Sequence, residues 1–419
     1  MPGMLATMRR CFEKIADPRS RRNSIKHTLT DTLMSALAMF SLKYPSLLQF
    51  DSRARGDDTV RHNLRTLYEV IDAPCDTQMR SILDPIEPGE LRPTFRALHS
   101  ALQRGNALQD FAWDDDTYLL SIDGTGLFSS TQVSCPHCCE KKTRNGPEYY
   151  HQVLVAVIVH PDRRTVLPLD FEPITRADGA TKNDCERNAA KRLLESVAKQ
   201  YPKRRFVVVE DALAANGPHL QSLQQYGMDF IIGAKPGGNP TLFKAVQERL
   251  QQGLCTEWEE VDERTGGTRG YRFTHQVPLN HEHPDLTVNF LEYWEVDAKG
   301  KERIWSWITN LAITRINAEG LMRAGRARWK IENAAHLGVA GRVLHPIEGA
   351  QVVTDAIVFM EPGIKLQQRG ILQREHRQCR TQGVGKLMLD ALPAASRVRD
   401  LFEAPAHRGQ HARHGEILA

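Results

Sequence analysis

The stretch LLSIDGTGLFSS, residues 119–130, constrains the rest of the chain more than any other. It opens apolar and β-prone, carries one carboxylate, Asp123, to the end of that run, and turns at once on Gly124 and Gly126. A strand that delivers an acid to its own end, beside glycines that let another backbone approach, is a common frame for a metal or phosphate site. A second such run, FVVVEDAL (206–213), ends in Glu210 and Asp211 and leads into the helix-like AANGPHLQSLQQYG. A third acid, Glu332, lies in ARWKIEN within a helical pattern. No spacing along the chain links the three acids; only a fold can.

The runs between them say which fold. YYHQVLVAVIVHP (149–161) and RTVLPLDFEPI (164–174) are apolar, β-branched and separated by a Pro-Asp-Arg turn, so with the Asp123 strand they predict an antiparallel meander. NDCERNAAKRLLESVAKQY (183–201) has strong helix formers with apolar residues at helical spacing. The FVVVED strand, a helix after Asn216 and the strand MDFIIGA (228–234) follow. The order β-β-β-α-β-α-β predicts an α/β fold, a mixed sheet with helices packed on it.

Flanking regions differ in kind. Residues 5–110 read as helical, with Thr28 or Thr30 as N-cap of TLTDTLMSALAMFSLKY and a helix in PGELRPTFRALHSALQRGN that ends near Gly105. Residues 236–303 cluster Gly and Pro and contain GYRFTHQVPL and LTVNFLEYWEV, a β-rich insertion. RIWSWITNLAI (303–313) reads as a buried strand, and residues 316–337 as the helix bearing Glu332. The expected organisation is a helical recognition or docking domain (1–110), the first part of the α/β core (111–235), the insertion (236–303), the last strand and helix of the core (304–345), and an atypical tail (346–419). From residue 366 the tail is rich in Arg, Gln, His, Gly and Ala, a composition that rarely builds a core.

A net charge of +4 makes no case for nucleic-acid binding, but its distribution is uneven. Residues 9–27 carry Arg9, Arg10, Lys14, Arg19, Arg21, Arg22 and Lys26 against Glu13 and Asp17, which reads equally as a solvated face or a phosphate-binding strip. No apolar stretch approaches the roughly 18 residues of a membrane helix, and the N-terminus lacks signal-peptide order. A cytoplasmic protein with its eight cysteines reduced is expected.

Three acids at the rim of a sheet suit two divalent ions held by hard oxygen ligands. Two such ions, about 3.5–4 Å apart, activate an attacking hydroxyl and stabilise the leaving oxygen of a phosphoryl displacement. Each acid alone reads as a turn or surface residue; their combination on this strand order points to chemistry. Cys135, His137, Cys138 and Cys139 form a second cluster, CPHCC, in which Cys135 and Cys138 have the spacing of half a zinc site. Cys185 and His151 could complete it, but no spacing requires this, and a reduced, metal-free loop is the favoured reading. Glu186 reads as a helix-start acid or as a carboxylate supporting the metal site.

SIDGTGLFSS, the run from RNGPEYYHQVLVAVIVHP to NDCERNAAKRLL, VVVEDALAANGPHL and RWKIEN together resemble the RNase H-like catalytic domain of DDE transposases, specifically those of insertion-sequence family four. The resemblance spans about residues 1–345, including a β insertion between the second and third acids. It implies that Asp123, Asp211 and Glu332 bind Mg²⁺, with Mn²⁺ as substitute. It also implies that Arg328, Trp329 and Lys330 meet the DNA end, and that a helical N-terminal region with Arg19, Arg21 and Arg22 helps bind it. The implied reaction is cleavage and strand transfer at terminal inverted repeats, with target DNA as acceptor, by a homodimer associated with the nucleoid. Two departures stand out. Gly325 occupies the Tyr position of the family's Tyr-x-x-Arg-x-x-x-Glu pattern, and Val339 and Ala340 stand where a DNA-binding lysine is expected. A frameshifted or decayed 3′ end is the simplest reading of that tail. The rivals are a catalytically impaired DNA-binding remnant and a stand-alone metal-dependent nuclease.

Overall fold

Continuous apolar runs become the middle strands of one sheet, because strands covered on both faces keep no polar alternation. The computed structural model describes residues 2–20, 25–132, 134, 137–175, 185–262, 266–283 and 285–331. The tail expected over 346–419 lies outside these residues.

The N-terminal region is helical: α1 (Pro2–Phe12), α2 (Leu29–Ser41), α3 (Leu47–Gly56), α4 (Asp58–Leu67), α5 (Asp76–Leu83) and α6 (Arg92–Arg104). Of the two candidate caps for α2, Thr28 is the one used, its Oγ1 accepting from the Asp31 N–H at 2.9 Å. Buried Leu33, Met34, Leu37 and Ala38 put α2 at the centre of this layer. Helix α6 carries Pro93 in its first turn, where a missing N–H is harmless, and ends at Gly105 as expected.

The strands are β1 (Thr117–Ser130), β2 (Cys139–Thr143), β3 (Gly146–Val159), β4 (Leu167–Ile174), β5 (Arg205–Glu210), β6 (Asp229–Gly233), β7 (Thr256–Asp262), β8 (Gly267–Pro278), β9 (Thr287–Val296) and β10 (Glu302–Thr309). They form one sheet in the order β2-β3-β1-β5-β6-β10-β9-β8-β7, with β4 also paired to β3. Strands β1, β3 and β4 make the expected antiparallel meander. Strands β1, β5 and β6 run parallel, connected through α7 (Glu186–Gln200) and α8 (Gly217–Gln225). This is the RNase H-like mixed sheet flanked by helices.

Period-two alternation divides the core between two faces. Leu119, Val207, Val209 and Ile231 pack with the N-terminal helices and α10 (Ala318–Ala327). Leu120, Ile122, Val208, Phe230 and Ile232 pack with apolar residues of α7 and α8. The first face carries the acids.

Three elements depart from expectation. Strand β1 does not end at Asp123 and turn on Gly124 and Gly126: it runs through all three to Ser130, with Asp123 opposite Val155, Gly124 opposite Leu154 and Gly126 opposite Gln152, because β3 is long enough to pair with it throughout. Strand β2, CEKKT, has no apolar run to announce it; it extends the sheet by pairing with the first residues of β3 across a tight turn at Gly146, whose φ is +105°. Helix α9 (Pro240–Gln251) lies in the segment read as a β-rich insertion, where no helix was expected. Its start is hidden by the preceding PGGN, but Leu242 and Val246 make a buried stripe. The insertion otherwise forms strands, and β10 pairs with β6 on one side and β9 on the other, so core and insertion share one sheet. Its register is fixed by a cross-strand ladder of directly opposed Trp258, Tyr271, Tyr293 and Trp305, with centroid spacings of 4.9, 4.9 and 5.8 Å. Among the described residues, no helix is long and apolar enough to cross a membrane.

Candidate active site

The parallel ladder of β1 and β5 runs from Thr117 opposite Arg205 to Ser121 opposite Val209. Two residues past that last pair come Asp123, in the middle of β1, and Asp211, just beyond the end of β5. Strands in a ladder lie about 4.8 Å apart, so the register brings these two acids level on neighbouring strands, across from α10. The Asp123 carboxylate accepts from the Gly124 N–H at 2.9 Å. Asp211 caps the short 3₁₀ turn that follows β5, accepting from the Leu213 N–H at 2.9 Å. Each side chain is thereby oriented by a local backbone donor.

Glycines make room around the pair. A Cβ at Gly233, at the end of β6, would lie 3.3 Å from the Ala212 nitrogen and 3.7 Å from the Asp211 Cα. A Cβ at Gly124 would lie 2.5 Å from a Glu186 carboxylate oxygen and 2.8 Å from the Gln152 amide nitrogen. Gln152 and Glu186 are hydrogen-bonded to each other there. Because successive residues point to opposite faces, Glu186 closes on the strand from the face opposite Asp123, which disfavours a role as supporting carboxylate.

Helix α10 brings up the cationic side. Arg328, at its C-terminus, is 9% exposed, and its Nη1 lies 3.7 Å from Asp123 Oδ2. Its guanidinium stacks on the Trp329 ring at 4.7 Å. Trp329 itself is 54% exposed, an aromatic surface open to a ligand. Glu332 lies outside the described residues, as do Val339 and Ala340.

Gly325 now has a physical reason. The Trp307 indole of β10 occupies the space that a side chain at 325 would take: a Cβ there would stand 2.8 Å from Cδ1 and Cε2 and closer still to Nε1. Tryptophan from the sheet fills the site where the resemblance expects tyrosine from the helix.

Lys330 is placed differently from expectation. Its ammonium donates to the carbonyls of His160 and Pro161, each at 2.7 Å, and to that of Arg163. A lysine has three protons to donate, and three acceptors meet them, so Lys330 faces the β3–β4 turn. Burial lowers its pKa, partly offset by nearby Asp162. Arg19 is likewise engaged, in a bidentate pair with Asp17 at 2.8 and 2.6 Å and a bond to the His27 carbonyl at 3.0 Å. Arg9 pairs with Asp31 and Glu69. For these arginines the structural reading outweighs the phosphate-strip reading. Arg21 and Arg22 lie outside the described residues.

A buried pair that sequence reasoning missed sits behind Asp211. His219 Nε2 is 2.5 Å from Glu210 Oε2, and both side chains are about 8% exposed. Burial pushes the His219 pKa down, but the Glu210 charge and hydrogen bond outweigh it and the net shift is upward. The signal was present: His219 is the third residue after Asn216, the N-cap whose side chain accepts from the His219 N–H. In the CPHCC cluster, Cys138 Sγ lies 3.2 Å from His151 Nε2 and both are buried. Cys135 lies outside the described residues, and among those described no three His, Cys, Asp or Glu side chains converge as metal ligands.

Two carboxylates on one face of the sheet suit a hard divalent cation better than a soft one. No curated protein matches the chain. The model of the transposase DDE domain family matches residues 119–337, more than half of the 419-residue chain. That span opens on β1 with Asp123, takes in Asp211, the insertion and Arg328, and the chain belongs to the transposase DDE domain family.

Proposed function

We propose that this transposase binds the terminal inverted repeats of an insertion sequence of the family-four type and, with Mg²⁺ or Mn²⁺, cleaves the element's ends and transfers them to target DNA. What supports the reading is the parallel β1–β5 register, which, continued two residues past Ser121 and Val209, sets Asp123 and Asp211 level on one face, with Arg328 3.7 Å from Asp123. Glu332, four residues beyond Arg328 in sequence, is the third ligand in this reading. Bound divalent ions would supply a lowered water pKa and charge neutralisation at the scissile phosphate. Asp123 and Asp211 hold their carboxylates in place through the Gly124 and Leu213 N–H groups. Arg328, next to Asp123, is placed to pair with a phosphate oxygen, and exposed Trp329 to stack on a base at the DNA end. In the first step water adds to phosphorus and the P–O3′ bond breaks, freeing a 3′-hydroxyl. In the second, that hydroxyl attacks a target phosphate, so one phosphodiester is exchanged for another and no external energy source is needed.

The helical region 1–110 is assigned to end recognition. Residues 111–235 and 304–345 are assigned to the catalytic core, interrupted by 236–303, and two copies to pairing of the ends. The test is cleavage of DNA carrying the element's repeats. Metal-dependent nicking at the repeat ends by the wild type, absent in Asp211→Asn, is the expected result; nicking that ignores the repeats would mean a plain nuclease instead. One observation favours a second reading, a DNA-binding remnant impaired in cleavage. Lys330 is engaged internally and Trp307 fills the 325 position, leaving the DNA-end clamp fewer donors than its relatives' pattern implies. Specific repeat binding without cleavage would establish it.

A further inference from the structure

We infer that Lys330 and Arg323 are positioning residues that clip α10 to the β3–β4 turn and so set Arg328 against Asp123. The inference rests on the reading of Asp123 as a catalytic acid. Helix α10 is ten residues long, near the length at which a helix is marginal on its own. Its buried side chains, among them Leu321 and Met322, hold it to the sheet, but apolar contact has no direction and does not fix rotation or sliding.

The polar contacts do fix it. Arg328 caps the C-terminus of α10 and Lys330 lies in the helical turn just beyond it, and their side chains go to different partners. Arg328 reaches Asp123. Lys330 is held by the three carbonyls of His160, Pro161 and Arg163, and seven residues earlier Arg323 pairs with the Asp162 carboxylate. The receiving turn is itself anchored. The Asp162 N–H donates to His160 Nδ1 at 3.1 Å, the Arg163 N–H donates to the His160 carbonyl at 3.2 Å, and the Arg163 side chain reaches Asp110. A caged ammonium is directional where the apolar packing is not. Removing it frees α10 to shift, and misplacing a catalytic group by about 1 Å costs on the order of 100-fold.

The test is Lys330→Met, which keeps the stem and removes the donors, alongside Arg323→Gln, which loosens the same clip without touching the caged lysine. Three readouts are taken on the full chain: single-turnover cleavage of repeat-end DNA, the salt dependence of binding that DNA, and hydrogen exchange across residues 318–331. The expected result is cleavage slowed roughly 10- to 100-fold, as for partners that orient a catalytic group, with faster exchange in α10 and an unchanged salt slope. Arg323→Gln is expected to give the same pattern more weakly. A salt slope lowered by about one in Lys330→Met, with exchange unchanged, would mark Lys330 as a phosphate contact and overturn the inference. Unchanged exchange with unchanged cleavage would overturn it too. If the wild type cleaves nothing, the functional reading fails, while exchange and salt slope still decide the clip.

Discussion

The two halves of the candidate site are held by different forces. Asp123 and Asp211 stand at the ends of a backbone ladder, with five residues of β1 registered against five of β5, buried Leu119 and Leu120 on the first strand and buried Val207, Val208 and Val209 on the second. Arg328 stands on a short helix kept in place by a few side-chain contacts to the β3–β4 turn and by close packing on Trp307. Ladder hydrogen bonds are made by every residue and survive substitution of any one side chain. Side-chain clips are few, and each can be lost at a single position. The acids are therefore the invariant part of the geometry, and the arginine is the adjustable part.

The largest effect should come from chemistry on the rigid side with no change in structure. Asp211→Asn keeps an acceptor for the Leu213 N–H, so the cap and the fold persist. Cleavage should fall by more than about 100-fold, since even partners that only orient a metal ligand are worth 10–100-fold. Circular dichroism and thermal melting should match wild type; a lower melting temperature would mean that the ladder is less self-sufficient than argued.

Next in size is the support behind that acid. Removing His219 leaves Glu210 buried beside Asp211 with its partner gone, a change that costs about 3–5 kcal/mol. The pair also makes a pH prediction. The folded pKa of His219 is raised above the unfolded value of about 6.5. Its contribution is therefore complete below that unfolded value and is lost as pH rises through the raised folded one. Denaturant unfolding of the wild type across this range should show that loss, and His219→Gln should flatten it.

The rigid half was the more legible one. Both strands announced themselves as apolar runs because burial on two faces leaves no room for polar alternation, and both acids were visible as breaks in those runs; only Asp211 follows a strand end, whereas Asp123 lies within β1, whose pairing continues through the glycines to Ser130. What could not be read was that Asp123 falls level with Asp211, since register is a property of pairing and not of either strand. In the adjustable half, a cation's backbone partners could not be read. Lys330 resembles a surface lysine because the carbonyls that receive it, at positions 160, 161 and 163, carry no signature in the sequence. Arg19 was open to two readings because only the fold shows its fork closed on Asp17. Strand β2 was missed for lack of apolar residues, and α9 because the Gly and Pro before it signalled a turn and masked a helix start.

The smallest effect sharpens the comparison most, because one extra methyl group is placed on each half. Gly325→Ala drives a Cβ into the Trp307 indole, within 2.8 Å of two ring carbons, at a buried contact between α10 and the sheet. Overpacking of this kind costs about 1–3 kcal/mol, and α10 can relieve it by moving away, which carries Arg328 off Asp123. Gly233→Ala meets the Ala212 nitrogen at 3.3 Å, a tighter fit than usual but one that asks for only a few tenths of an ångström. If the ladder is rigid and the helix adjustable, Gly325→Ala should lower cleavage more than Gly233→Ala does when each is compared at equal loss of stability. The measurement is single-turnover cleavage plotted against melting temperature for both variants. Points on one common line would mean that the two halves yield alike, and that the division between ladder and clip does not govern the site.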